Sequence, residues 1–365
     1  DSGSGDTQEI TLGSGLTMTG TTLSASGGSS GGGTAANYVT GSPGTIAVNA
    51  SSSGTAGTGN FTPGSAVSGF RAWSTVFTGW AGLVRFDDGS SWELSFCYWD
   101  GSVLSRSSTQ LFESSSGSAI SLTSSATATL VCDIDTFAEG TNKGIPRSSL
   151  PNPSTSTIVD TGVTFTNSPG TSAASLGTGS FLAAQPRVVL TSGTVANDSV
   201  QRANPLGIAY VSSANARGGF MFNYRFGVTT LPTSPRVMIG AGDGTFGGSE
   251  EPSAKTLNYA SLAKDSTDTN LQFLTNSNAG SGTKTDTGIA LVVDAWYQYV
   301  QWNYPSSAEH HQLLIRWDTG AIYYRKTSTD VPANGSILGP YFRMATNGTT
   351  AVTLHYGDCS YRAGR

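Results

Sequence analysis

The sequence is short of charge, of histidine and of cysteine, and it has no long apolar run. Charged side chains make up 12% of its 365 residues, about half of the roughly 25% usual in globular proteins. The net charge is −5 and the isoelectric point about 5.2. A nucleic-acid binder needs a basic face and a high isoelectric point, which this composition does not supply. No apolar stretch approaches the roughly 18 residues of a membrane-crossing helix. The three cysteines, Cys97, Cys132 and Cys359, are an odd, sparse set rather than a disulfide framework. They read as free thiols, with a Cys97–Cys132 bridge as the alternative.

Chemistry is equally thin. The histidines are His310, His311 and His355. Adjacent residues of an extended chain point apart, so His310 and His311 read as a solvated loop after Glu309, not as metal ligands. No Gly-x-Ser-x-Gly elbow stands before a helix. The glycine-rich stretch Gly240–Gly244 lacks the Lys-Ser/Thr ending and the helix of a phosphate loop. Its Asp243 is the loop carboxylate weighed for calcium. Glycoside hydrolysis needs two carboxylates across a cleft. The candidates are Asp243, Glu250, Glu251, Asp294 and Asp318, and spacing brings no two of them together. Glu250 and Glu251, beside Pro252, read as a solvated loop. The reading is therefore no enzyme, no catalytic residue, no metal and no cofactor.

What the sequence does have is glycine, serine, threonine and clustered aromatics. There are 47 Gly, 7 Trp, 13 Tyr and 15 Phe. Disordered chains lack aromatic clusters, so the expectation is all-β modules joined by Gly/Ser/Thr spacers. Residues 1–67 read as an extended attachment and trimerisation region. No charged side chain falls between residues 10 and 70, and Ile10 to Leu23 alternates apolar residues with Thr or Gly, as short strands do. Too few large apolar residues are present there for that strip to fold alone, so a homotrimer is expected.

Residues 68–135 read as a small antiparallel module. Asp88-Gly89 is a hairpin turn, and the strand from Trp92 places Trp92, Leu94, Phe96 and Tyr98 on one face and Glu93 and Ser95 on the other. Residues 136–180 read as a linker. Residues 181–365 carry about ten strands at the spacing of a sandwich or barrel, read as a jelly-roll-type β-sandwich, with Phe220, Phe222, Tyr224 and Phe226 on one face.

The stretches Asp87-Asp-Gly-Ser-Ser-Trp92-Glu93-Leu, Leu104-Ser-Arg106-Ser-Ser-Thr and Ser114-Ser-Ser-Gly-Ser resemble a small module of tail-fibre and spike proteins. These occur in tailed phages and in phage-derived, gene-transfer-agent-like particles. Tyr224-Arg-Phe-Gly-Val, Pro235-Arg-Val-Met-Ile-Gly-Ala, Leu271-Gln-Phe-Leu-Thr-Asn-Ser and Thr285-Asp-Thr-Gly-Ile resemble the distal lectin-like sandwich of similar proteins. The resemblance implies a virion-surface protein made in the host cytoplasm. Its implied partners are its own copies, other virion proteins through the N-terminal region, and host-surface polysaccharide. A polysaccharide depolymerase, or a capsid decoration protein without receptor role, is the alternative. Binding residues concentrate in loops on a rigid sandwich. The loops chosen are Gly242–Lys255 and Asn303–His311, with Asp243, Phe246, Trp302, Tyr304 and His310 as ligand contacts. Val300 shares a strand face with Trp302, which sets a core role against that choice.

Overall fold

The computed structural model describes residues 16–19, 22–25, 49–52, 57–67, 70–76, 78–135, 137, 159–160, 163–164, 172–175, 188–197, 199–203, 208–209, 219–244, 249–304 and 307–363. The described residues build three large antiparallel sheets, and the expected all-β class and β-sandwich are what the chain adopts.

The module sheet has the strand order Pro63–Ala66, Asn49–Ser52, Thr127–Asp133, Trp80–Asp88, Ser91–Trp99, Leu111–Ser114. Two of these strands lie upstream of residue 68. Gly89, at φ +72°, takes the left-handed turn position between Asp88 and Ser91, a conformation that costs glycine little. One face of this sheet packs Val84, Phe86, Cys97 and Trp99 against Phe61, Trp73, Leu104, Ile120 and Leu122. Cys97 and Cys132 are free thiols, as expected; the side chain of Cys359 lies outside the described residues.

The sandwich has a seven-stranded front sheet and a back sheet. The front order is Ser172–Ser175, Val188–Thr191, Thr353–Ala363, Phe220–Thr230, Trp296–Asn303, His310–Arg316, Ala321–Thr327. Its first strand falls in the range read as linker. The back sheet runs Ser199–Ala203, Ile337–Ala345, Arg236–Gly242, Asn258–Lys264, Asn270–Ser277, Thr283–Ala290. Between the sheets, the period-2 set Phe220, Phe222, Tyr224, Phe226 and Val228 meets Val237, Ile239, Leu262, Phe273, Phe342 and Met344. The alternation read from sequence is the alternation of this core.

The front sheet has a second buried face, which the sequence reading did not foresee. Met221, Val300, Trp302, Leu313, Ile315, Ile322 and Tyr324 pack against Ala81, Leu83, Phe96, Ile134 and Phe137 from the module side. The two modules are thus not beads on a spacer but share an apolar interface. Aromatic rings form its centre: Phe137 lies 5.1 Å from Trp302, Phe96 5.3 Å from Tyr324 and Phe112 5.6 Å from Tyr324. Arg225 adds an ion pair to Asp135 at 2.5 Å.

Candidate functional site

Burial corrects two of the binding residues read from sequence, Trp302 and His310. Trp302 is 1% exposed and stacks on His311 at 4.9 Å and 8°. It belongs to the core between the modules, with Val300 beside it. His310 and His311 are not a loop: both lie on the strand His310–Arg316 and are buried. Burial is the first cause that lowers their pKa values, to about 3 for His310 and about 4 for His311. Neither side chain offers a surface to a ligand. Tyr304, at 37% exposure, does reach the surface, edge-on to His311.

In the other chosen loop, Asp243 is exposed but engaged. Its carboxylate accepts hydrogen bonds from Asn258 N at 3.1 Å and Asn258 Nδ2 at 2.6 Å, closing the hairpin between two back-sheet strands. Phe246 lies outside the described residues. Glu251, expected to be solvated, accepts from Arg236 Nε at 2.8 Å and from Ser266 N and Oγ. These bonds hold its carboxyl below the ordinary carboxylate range against the opposing effect of burial. Glu250 pairs with Lys255. Among the described residues no three carboxylate, histidine or cysteine side chains group as metal ligands.

What the fold brings together instead is a groove of about 380 Å³ between the modules. Its module wall is Ser108, Thr109, Leu111, Phe112, Glu113, Ser114 and Gly117, and its sandwich wall is Tyr323, Tyr324, Arg325 and Lys326. Four consecutive residues of the strand Leu111–Ser114 and four of Ala321–Thr327 line it. Consecutive strand residues point to opposite faces, so a groove that touches all of them runs along strand edges. Both strands are indeed the last in their sheets.

Each ring of the groove is fixed from behind. Tyr324 Oη lies 2.8 Å from His311 Nδ1, and Tyr323 packs edge-on against Phe273 at 5.7 Å. Phe112 spans the two modules through Tyr324, Phe137 and Trp302. The polar groups are the Ser108, Thr109 and Ser114 hydroxyls, the exposed Glu113, Arg325, and Lys326, which pairs with Glu309 at 3.3 Å. Tyr304 sits within electrostatic reach of Glu113: burial first, then that carboxylate, push its hydroxyl pKa up. Of the groove, the sequence motifs had included Ser108, Thr109, Ser114 and Gly117, but none of its residues was assigned to binding. No local signal marks the rest, because its two walls are some two hundred positions apart.

No protein-family model matches the chain, and no curated protein matches it. Among solved structures, a seed lectin of Lotus tetragonolobus superposes with TM-score 0.43 at 13% identity, over 60% of this chain and 98% of its own. Peanut lectin gives TM-score 0.42 at 11% identity, over 61% and 98%. An endo-β-1,4-glucuronan lyase from the fungus Trichoderma reesei gives 0.33 at 8%, over 48% and 80%. The likeness is one of β-sandwich architecture.

Proposed function

We propose that this chain is a non-enzymatic adhesive subunit on the surface of a tailed-phage-type or gene-transfer-agent-like particle, and that it holds host-surface carbohydrate in the groove between its modules. The observation that carries the binding half of this reading is the groove itself. Ligand sites combine apolar and aromatic walls with a few convergent polar groups, and sugars present an apolar C–H face beside a rim of hydroxyls. Phe112, Tyr323 and Tyr324 meet the first; Ser108, Thr109, Ser114 and Glu113 meet the second. A volume of about 380 Å³ is near the lower end of ligand pockets and suits one or two sugar rings of a longer chain passing through. The walls are sheet edges locked to a shared core, so little ordering is needed on binding.

Hydrolysis would require a second carboxylate across the groove, and Glu113 is the only one among the described residues that line it. The virion half rests on the module and sandwich motifs of the sequence. In this reading the uncharged N-terminal region joins three copies around an axis and attaches them to other virion proteins. Cyclic symmetry closes such a contact on itself.

The test is a glycan array probed with the intact chain, after sedimentation has fixed its mass at the expected three copies. Thr109→Trp, at an exposed position, fills the groove with an indole and should abolish glycan capture without changing the circular dichroism. Capture of no glycan, or undiminished capture by Thr109→Trp, sinks the binding site; a stable monomer sinks the trimer.

A further inference from the structure

One row of side chains crosses the module-facing side of the front sheet. Strand register sets Met221 beside Trp302, Trp302 beside His311 and His311 beside Lys326. His311 stands at the centre of the contacts that hold the two walls of the groove together. Its ring stacks on Trp302 at 4.9 Å, lies 6.1 Å from Tyr324, meets Tyr304 edge-on at 5.2 Å and reaches Phe112 of the module at 6.2 Å. Nδ1 shares a hydrogen bond with Tyr324 Oη at 2.8 Å, and Nε2 is buried with no hydrogen-bond partner among the described residues.

A neutral imidazole fits this seat, because it has one donor and one acceptor nitrogen and either suits the Tyr324 hydroxyl. An imidazolium donates from both nitrogens. Nε2–H would then be a buried donor on a charged ring with no acceptor, and Nδ1 could no longer accept from Tyr324. Of the charged groups around the ring, Glu309 favours the proton and Lys326 opposes it, and these two pair with each other. From the module, Glu113 stands within electrostatic reach of Tyr304 and Tyr324. Stacking on the Trp302 face also favours a cation. Burial outweighs all of these, and the docked ring keeps a pKa of about 4. Parting the modules uncovers the row, since the module covers Met221, Trp302 and Tyr324, and returns the His311 value toward ~6.5. Docking is therefore strongest above pH ~6.5 and weakens as pH falls from there toward 4, at most roughly 300-fold. His310 takes no part in this. It faces the sandwich interior, 5.7 Å from Phe220, and stays buried when the modules part.

We propose that His311 is an acid-sensitive latch: its protonation unseats Tyr324 and Phe112, parts the module from the front sheet and opens the groove. Release of a bound glycan in acid follows, a consequence that rests on the carbohydrate reading. The latch itself is tested without a ligand. Hydrogen peroxide converts methionine to its sulfoxide at a rate that hardly varies with pH. Met221 lies in the interface between the modules and Met344 in the sandwich core. Peptide mass mapping of the intact chain after peroxide treatment should show Met221 oxidised about tenfold or more faster at pH ~4.5 than at pH ~7, with Met344 unchanged. His311→Phe should abolish that increase. His311→Gln, which keeps a polar group against Tyr324 without a titrating ring, should do the same and serves if the phenylalanine variant fails to fold. An unchanged Met221 rate in the wild-type chain overturns the latch. An equal rise at Met344 overturns it too, because the sandwich is then unfolding rather than undocking. An increase that persists undiminished in the variants overturns the assignment to His311. A glycan captured on the array at pH ~7 should wash off the wild-type chain at pH ~4.5 and stay on His311→Phe. Its retention by a wild-type chain whose Met221 has opened overturns the groove as the glycan site and leaves the latch standing.

Discussion

Glu93 and Arg106 form an ion pair in which both side chains are fully buried. The carboxylate accepts from Arg106 Nε at 2.9 Å and Nη2 at 2.6 Å, from Ser95 Oγ at 2.6 Å and from Ile120 N at 3.0 Å. Arg106 also donates to the carbonyls of Gly57 and Ile120 and lies over the Phe86 ring. The pair thereby ties the strand Ser91–Trp99 to three stretches of loop. Removing one partner leaves an uncompensated charge in the core, so Arg106→Met should destabilise the chain by about 3–5 kcal/mol, and the paired change Arg106→Met with Glu93→Leu by clearly less. Denaturant titration of the three proteins measures the difference. Sequence parity had correctly put Glu93 and Ser95 on the face opposite Trp92. It could not say that this face is covered, because alternation sorts residues between faces without revealing what lies over each.

The strands Trp296–Asn303 and His310–Arg316 show what double coverage does to an element. All eight residues of the first and six of the seven in the second are buried. The run Leu313-Leu314-Ile315 divides between two cores, Leu314 to the sandwich and its neighbours to the module interface. Three apolar residues in a row are the mark of a strand buried on both faces, and this was the signal that could have placed Trp302 and His311 correctly. The hairpin that follows is equally committed to the interface. Gly320 has φ +68°, and a Cβ there would come within 2.2 Å of the Tyr98 ring of the module.

Burial of His311 makes the stability of this element depend on pH. Desolvation holds its pKa at about 4, with Glu309 opposing and Lys326 assisting. Above pH ~6.5, the free histidine value, neither state takes a proton, and stability is fully present. As pH falls toward 4 the unfolded chain is protonated and the folded chain is not, so stability is lost over that window, by roughly 3 kcal/mol. His310 adds to the loss over the same window and carries it further down, toward its value of about 3. Denaturant midpoints between pH 7 and 4 should fall steadily, and His311→Phe should flatten the slope while keeping a ring against Trp302. An unchanged slope in that variant would show that His311 is not the group responsible.

At the scale of the whole molecule, the interface makes two sheets into one folding unit. Each large apolar side chain fully buried there contributes roughly 1.5–3 kcal/mol, and Ala81, Leu83, Phe96, Ile134 and Phe137 would lose that cover if the modules parted. Calorimetry of the intact chain should therefore show module and sandwich unfolding in a single transition. Leu313→Asp, which places a charge in the shared core, should lower that transition or split it in two. Two separate transitions in the wild-type chain would mean the modules are only lightly docked. The groove depends on the same docking, since Phe112 and Tyr324 hold one wall against the other.

The sequence by itself determined the all-β class, the hairpin at Gly89 and the inward set Phe220, Phe222, Tyr224, Phe226. Each of these follows from local rules: period-2 alternation and turn stereochemistry. Only the tertiary structure decided that the second face of the front sheet is covered. That covering removed Trp302 and His311 from the surface and created the groove from Leu111–Ser114 and Ala321–Thr327. The physical reason is that a groove between two edges belongs to neither edge. It exists only once apolar residues distant in the chain have paid for the contact between the sheets, and no pattern within either strand encodes which partner will arrive.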